Sequence, residues 1–178
     1  MKVGSIVQVK SFSDYVVKVP LEEGDGYVHA AKIPAGTYVS IRTAQGLVVG
    51  IVTSVQHEIK EDVLPFLSEE KQEVFAPYVN DYRSSYLAVR GIGNVQGTRV
   101  LHSLDYAPTV NDCVELMDKD GIRSFHMPGG KASFSYYRKL SSALDPDTLC
   151  CVIDNVARAV PECKPMLSAL RKHTENKA

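Results

Sequence analysis

The sequence has no excess of charge of either sign and no long apolar run, and both absences narrow the classes of protein that it fits. Its 20 lysine and arginine residues nearly balance its 21 aspartate and glutamate residues, which gives a net charge of -1. Nucleic-acid-binding proteins are commonly basic overall or carry a basic stripe, so this balance disfavours a DNA-binding role. No apolar stretch approaches the roughly 20 residues that a membrane-spanning helix needs, and the first residues lack an apolar signal segment. We therefore expect a soluble, cytoplasmic protein that does not act in a membrane.

Cysteine is scarce and is not spaced for metal binding. The four cysteines are Cys113, Cys150, Cys151 and Cys163, and none of them forms a C-x-x-C pair. A tetrahedral zinc site is commonly built from paired ligands with short spacers. The five histidines form neither an H-x-x-x-H nor an H-E-x-x-H pair. We expect reduced thiols and no bound metal.

The nucleotide-binding motifs are incomplete. A Walker A loop needs Gly five residues before its second Gly, and Ser or Thr directly after its Lys, but Phe125 and Ala132 occupy those positions around Gly129–Ser133. The glycines of Gly91–Thr98 are spaced G-x-G-x-x-x-G, which favours a glycine-rich hairpin over a dinucleotide fingerprint. The sequence therefore predicts no ATP hydrolysis, no cofactor and no catalytic residue that can be named.

The first third of the chain is rich in short strands. Apolar and polar residues alternate, turn signals recur at near-regular spacing, and no helical period precedes about residue 60. Residues 1–58 are therefore predicted to form a small, closed or nearly closed β-barrel, with Gly50 marking a bulge or corner in its longest strand. The valines expected to point inward are Val7, Val17, Val39, Val49 and Val52.

The alternation of apolar and polar residues ends near residues 58–66, where charged residues and a proline interrupt it. We place a domain boundary there. Residues 66–178 are predicted to form an α+β domain with a helical C-terminus. The fold class is therefore α+β: an N-terminal barrel followed by a mixed segment. The expected elements are a helix from Ser68, strands over 84–95 and 110–117, a short helix over 118–125, and helices that start at Asp145 and Pro161.

One segment, residues 123–139, concentrates aromatic and basic side chains. Aromatic rings interleaved with Lys and Arg can stack on and neutralise single-stranded nucleic acid, or bind another anionic ligand. The alternative is that Phe125, Phe134 and one tyrosine pack inward while the charges lie in water. The candidate binding patch consists of Arg123, His126, Lys131, Phe134, Tyr136, Tyr137 and Arg138.

Short motifs in the barrel region resemble a known family. Val3–Val7 (VGSIV), Gly36–Val39 (GTYV) and Gly46–Val52 (GLVVGIV) are similar to the N-terminal barrel of HerA-type archaeal DNA-translocating ATPases. The same barrel, the HAS barrel, precedes the motor domain of rotary ATP synthase subunits. The resemblance covers about a third of the chain and implies a barrel that helps to assemble a ring beside an ATPase. Since this sequence lacks the nucleotide-binding motor domain of that family, the resemblance implies no catalytic residue here.

Three functions remain open at this point. The first is a non-enzymatic assembly or adaptor module of an archaeal DNA-processing or ATPase complex, with a motor ATPase or a nuclease as partner and the option of a homo-oligomer. The second is a nucleic-acid-binding module that uses the barrel face or the candidate binding patch. The third is an enzyme with a site between the two predicted domains. Fold alone does not choose among them, because function resides in sites.

Overall fold

Six antiparallel strands close into a barrel, and helices cover part of its outer surface. The computed structural model describes residues 1–20, 26–59 and 83–176. Around the barrel the strands follow the order β1, β2, β5, β4, β3, β7 and back to β1, while β6 extends β5 as a hairpin. The strands are β1 Lys2–Val9, β2 Asp14–Val19, β3 Tyr38–Thr43, β4 Gly46–Ile59, β5 Arg83–Gln96, β6 Arg99–Leu101 and β7 Cys113–Leu116.

The barrel draws its strands from both sides of the predicted boundary. β2 pairs with β5, where Tyr15 lies opposite Val89, and β1 pairs with β7, where Lys2 lies opposite Glu115. Residues 1–58 therefore do not close the barrel among themselves, and that part of the prediction is wrong. Alternation identifies a strand but not its partner, so the sequence could not reveal that the closing strands follow residue 82. The boundary itself lies largely outside the described residues.

The facing of the strands agrees with the prediction at three of the five valines. Val17, Val39 and Val52 are fully buried in the cluster that fills the barrel. Val7 was predicted inward but is 37% exposed, because the pairing of β1 with β2 shifts register between Ile6 and Gln8. Val49 was also predicted inward, yet it packs outward against the helices. β4 is covered on both faces there, so its alternation does not separate core from solvent.

Gly50 marks an irregularity in β4, as predicted. The register against β5 shifts between Val49 and Gly50. A Cβ at Gly50 would lie 2.6 Å from Cγ1 of Val89, so a larger residue there would force the Val89 side chain to shift. The sequence GIGNVQGT forms the end of β5 and the turn into β6, which confirms the glycine-rich hairpin.

Four helices follow the barrel strands, which confirms the α+β class. Asp118 and Asp145 cap the first and the third helix, each through its side chain, and Pro146 occupies the first turn of the third. None of the helices in the described part of the chain has the length and apolarity to cross a membrane. The helices are α1 Lys119–His126, α2 Tyr137–Ser141, α3 Pro146–Ala159 and α4 Lys164–Glu175, with short 3-10 turns at Ala30–Lys32, Pro128–Gly130 and Pro161–Cys163.

The helices bury a second apolar cluster against the outside of β3, β4 and β5. Tyr38, Val49 and Ile92 contribute from the strands, and Phe125 and Val152 are among the helical side chains that meet them. This second core fixes α1 and α2, which carry most of the candidate binding patch, to the barrel wall.

Some predicted elements differ in extent. Tyr27 makes only an isolated parallel bridge to Lys2. The strand expected over 110–117 is limited to β7, and β6 was not predicted. The helix expected from Ser68 lies outside the described residues.

Candidate functional site

Three residues of the candidate binding patch pack together, two of them buried and the third, Phe134, partly buried. His126 is the last residue of α1 and is fully buried, while Tyr136 directly precedes α2 and is 4% exposed. Phe134 stacks on the His126 ring, with the ring centroids 5.2 Å apart. These three residues lie within one short segment of the sequence, and in the structure they pack together between the helices and the barrel.

His126 and Tyr136 belong to a buried chain of hydrogen bonds that also includes Tyr38 of β3. The Nδ1 of His126 lies 2.6 Å from the Ile122 carbonyl oxygen and must donate to it, so Nε2 accepts from the Tyr136 hydroxyl at 2.7 Å. The Tyr136 oxygen in turn accepts from the Tyr38 hydroxyl at 2.8 Å. Every polar side-chain atom in this series of hydrogen bonds therefore has a protein partner. Each group donates to the next, from the Tyr38 hydroxyl to the Ile122 carbonyl oxygen.

Burial sets the protonation states of the three hydrogen-bonded side chains, His126, Tyr136 and Tyr38. Desolvation lowers the pKa of His126 to about 4, against the favourable bond to Ile122, so the imidazole is neutral at physiological pH. Desolvation likewise raises the pKa of Tyr136 and of Tyr38 far above the usual tyrosine value. All three groups are uncharged, as the hydrogen-bond directions require.

His102 forms a second fixed imidazole beside the first. Its Nε2 donates to the Phe125 carbonyl oxygen at 2.9 Å, and its Nδ1 accepts from the Ser133 hydroxyl at 3.0 Å. Desolvation lowers its pKa, which favours this neutral tautomer. The ring edge packs on Tyr136 with centroids 5.4 Å apart, so His102 connects the β6–β7 segment to the helical layer.

The remaining patch residues lie nearer the surface. Tyr137 is half-buried, and its hydroxyl lies 2.8 Å from that of Thr174 on α4. Arg123 pairs with Glu162 through two hydrogen bonds, which lower the pKa of that carboxyl to about 2. Lys131 and Arg138 are exposed and form no ion pair within the described residues. The cations thus face water while the rings of His126 and Tyr136 face inward.

The segment Gly129–Ser133 does not have the backbone of a phosphate-binding loop. It follows α1 instead of a strand, and Gly129 and Gly130 form a 3-10 turn with φ values of 61° and 77°. A phosphate loop lies between a strand and the helix whose N-terminus faces the phosphate. Within 1–20, 26–59 and 83–176, no group of three or more His, Cys, Asp or Glu side chains is placed to hold a metal ion.

A cavity that sequence reasoning missed lies next to the buried chain. It has a volume of about 360 Å³ and opens between the β1–β2 turn, β5 and α2. Its apolar wall includes Ile92, Leu104 and Leu140, and its polar groups include Arg90 and Lys139. The sequence did not reveal it, because these residues come from β5, the segment after β6 and α2, which lie far apart along the chain.

Arg90 is held in place by a cross-strand ion pair. It lies opposite Asp14 in the β2–β5 ladder, and its Nε and Nη2 donate to Asp14 Oδ1 at 2.9 and 2.7 Å. Burial opposes the charge on Asp14, but hydrogen bonds from Ser11 and Arg90 outweigh that effect and the pKa of the carboxyl falls below its usual value. Asp14 therefore holds the guanidinium of Arg90, a residue that lines the cavity, in one position.

A family model matches most of this architecture. Residues 1–158, from β1 into α3, match the domain of unknown function DUF8166. No curated protein matches the chain. The match spans the barrel, the buried hydrogen-bond chain and every residue that lines the cavity, and the chain therefore belongs to the DUF8166 family.

Proposed function

We propose that this protein is a non-enzymatic assembly or adaptor module, built on a barrel of the HerA and ATP synthase type, that docks on an archaeal motor ATPase of a DNA-processing complex. The closed six-stranded antiparallel barrel fits that resemblance. A barrel without a motor can still position a partner, because the strands form a rigid platform that does not depend on ATP.

An exposed apolar row on the barrel carries the proposal. Val7 and Val9 of β1 are each 37% exposed, and Phe12 in the following turn is 54% exposed. Val110, also 54% exposed, is held near β1 because the next residue, Asn111, donates from its backbone to the Ile6 carbonyl oxygen at 2.8 Å. Exposed apolar side chains grouped on one part of a small protein are typical of protein interfaces. The partner surface on the ATPase is therefore expected to be apolar.

The buried polar groups support a binding role over catalysis. Both ring nitrogens of His126 and of His102 already bond to protein atoms. A general base must lie within hydrogen-bond reach of the substrate proton, and His126 is fully buried. The bonds of both imidazoles tie α1 to the neighbouring segments, which favours a structural role.

The test measures binding to a purified HerA-type motor ATPase. Isothermal titration calorimetry should detect a complex with the wild-type protein, and a Val9→Ser, Phe12→Ser variant should weaken it at least about tenfold, since a buried apolar side chain of this size contributes roughly 1.5–3 kcal/mol. Met166→Ser is the matched control, because Met166 is 47% exposed on α4, outside the apolar row. Equal affinity of the double variant and the control would overturn the proposal.

A second candidate function is weak binding of single-stranded nucleic acid. Lys131 and Arg138 are exposed and unpaired within the described residues, which favours salt-sensitive attachment to phosphates. The buried rings of His126 and Tyr136 are not available to stack on bases. Fluorescence anisotropy with a labelled oligonucleotide at low salt tests this, and a Lys131→Ala, Arg138→Ala variant should lose most of the binding. Unchanged affinity would exclude this segment as the contact.

A further inference from the structure

We propose that the cavity beside Arg90 binds a small organic carboxylate with an aromatic or branched aliphatic body. This site shares only Phe12 with the apolar row that carries the adaptor proposal, and it lies between the barrel and the helical layer.

The cavity has the size and the wall of a small-molecule site. Its volume of about 360 Å³ falls within the range of roughly 300–1,000 Å³ that is usual for ligand pockets. Ile92, Leu104 and Leu140 give it an apolar wall, Phe12 stands at the exposed edge, and the Tyr136 ring adds a flat surface. Such a wall suits an apolar body, which gains free energy by leaving water.

The charges at the cavity favour one negative charge on the ligand. Arg90 and Lys139 are the cations that line it, and Asp14 neutralises one of them. His102 contributes no charge, because both its nitrogens are engaged and burial lowers its pKa. The lining is thus left with one net positive charge, which matches a monoanion better than a polyphosphate.

Donors are available for a carboxylate. Asp14 engages Nε and Nη2 of Arg90, and Nη1 makes no hydrogen bond to the described residues. Lys139 is exposed and forms no ion pair in the described ranges, and Ser103 adds a hydroxyl at the rim. Charge-assisted hydrogen bonds from a guanidinium and an ammonium are strong contacts for a carboxylate.

Hydrogen bonds and close packing hold part of the cavity lining in place. The cross-strand pair with Asp14 fixes Arg90, and the bonds of His102 to Phe125 and Ser133 fix the wall opposite. Gly91 lets Tyr15 and Leu104 approach the floor, since a Cβ there would lie 2.8 Å from the Tyr15 hydroxyl oxygen. A site that is already ordered loses little conformational entropy on binding.

The experiment compares naphthoate with naphthamide, two probes of nearly the same shape that differ in charge. Calorimetry on the full chain should show that naphthoate binds and that naphthamide binds at least about tenfold more weakly, since a charge-assisted hydrogen bond contributes roughly 1.5–3 kcal/mol. Lys139→Glu should weaken naphthoate binding by a similar factor and leave naphthamide binding unchanged. Lys131→Glu makes the same charge change at an exposed lysine outside the cavity lining and should have no such effect.

Ser103→Trp places a large side chain at the rim and should abolish binding of both probes, while thermal unfolding shows that the variant remains folded. Three results would overturn the proposal: equal affinity for the two probes, equal effects of Lys139→Glu and Lys131→Glu, or unchanged binding by the folded Ser103→Trp variant. None of these variants changes the apolar row, so failure here leaves the adaptor proposal standing.

Discussion

The hydroxyl groups of Tyr38 and Tyr136 meet 2.8 Å apart although 98 positions separate them in the sequence. Tyr38 belongs to the barrel wall and Tyr136 to the helical layer, so this hydrogen bond joins the two structural parts inside the second apolar core. Because Tyr136 also donates to His126, one phenol oxygen both accepts and donates, and its removal leaves two buried groups without a partner.

Tyr136→Phe should therefore destabilise the fold strongly. The substitution orphans the Tyr38 hydroxyl and the His126 Nε2, and each unsatisfied buried group costs about 1–3 kcal/mol. Tyr137→Phe is the control, because Tyr137 is half-buried and the substitution removes only one hydroxyl contact, to Thr174 on α4. Urea unfolding followed by circular dichroism gives both values. Equal losses for the two variants would contradict the assigned hydrogen-bond chain.

Stability should fall as the pH is lowered through the weakly acidic range. The pKa of His126 is about 4 in the folded protein and near 6.5 when the chain is unfolded. Between these values the unfolded state binds a proton that the folded state does not, so the free energy of unfolding decreases by about 1.4 kcal/mol per pH unit as the pH falls from about 6.5 to 4. The lowered pKa of His102 acts in the same direction.

The His126→Gln variant isolates this effect. Its free energy of unfolding, measured by urea titration between pH 4.5 and about 7, should depend less steeply on pH than that of the wild type. The carboxyls of Asp14, Asp145 and Glu162 have lowered pKa values, and their contribution is lost mainly below that range in both proteins. Parallel curves for the two proteins would show that His126 does not titrate as proposed.

Gly36→Ala should loosen the attachment of α3 to the barrel. Gly36 has a φ of +80°, and a Cβ there would lie 2.7 Å from the Cβ of Cys151 and 2.9 Å from the Val152 backbone nitrogen. Asn155 of α3 also donates to the Gly36 carbonyl oxygen at 2.8 Å. We expect a loss larger than the roughly 1–2 kcal/mol that the left-handed conformation alone costs a non-glycine residue.

Gly97→Ala is the matched control for that measurement. Gly97 has a φ of +56°, but a Cβ there would meet no atom within 4 Å among the described residues, so only the conformational strain should appear. Thermal unfolding of both variants gives the comparison. The packing of α3 against the turn would be refuted by equal shifts in melting temperature.

Removing the N-cap of α3 should lower the free energy of unfolding less than the Gly36→Ala substitution does. Asp145 Oδ1 accepts from the Thr148 backbone nitrogen at 2.8 Å, which lowers the pKa of the Asp145 carboxyl. Asp145→Ala should cost about 0.5–2 kcal/mol of unfolding free energy, whereas Asp147→Ala, inside the first turn but not the cap, should cost less. Urea titrations at neutral pH measure both, and a larger loss at Asp147 would contradict the capping role.

Local patterns predicted most of the elements but not how they pair. Alternation located β1 to β5, and the Asp145-Pro146 pair located the start of α3, because both signals depend on near neighbours in sequence. The closure of the barrel by β5 and β7 depends on partners far along the chain. Val49 was assigned to the wrong face for the same reason, since only the folded protein shows that helices cover the outside of β4.

The candidate binding patch shows where composition misleads. Lys131 and Arg138 made the segment look exposed, and they are exposed, but His126 lies one helical turn after the buried Ile122 and shares its face. That spacing was the available signal for a buried histidine. The partner that satisfies it, Tyr136, and the more distant Tyr38 could not be inferred from the segment alone. The cavity residues Arg90 and Lys139 likewise lie on separate elements.

The pairing of β1 with β7 affects how the chain folds while it is being synthesised. The first strand receives its second neighbour only when the chain has been synthesised as far as Leu116. Until then one edge of β1 presents unpaired backbone groups, and such edges can pair with other chains. Contacts between such distant segments also slow folding, because a long loop must close before they form. The nascent chain thus depends on its last strand to protect its first.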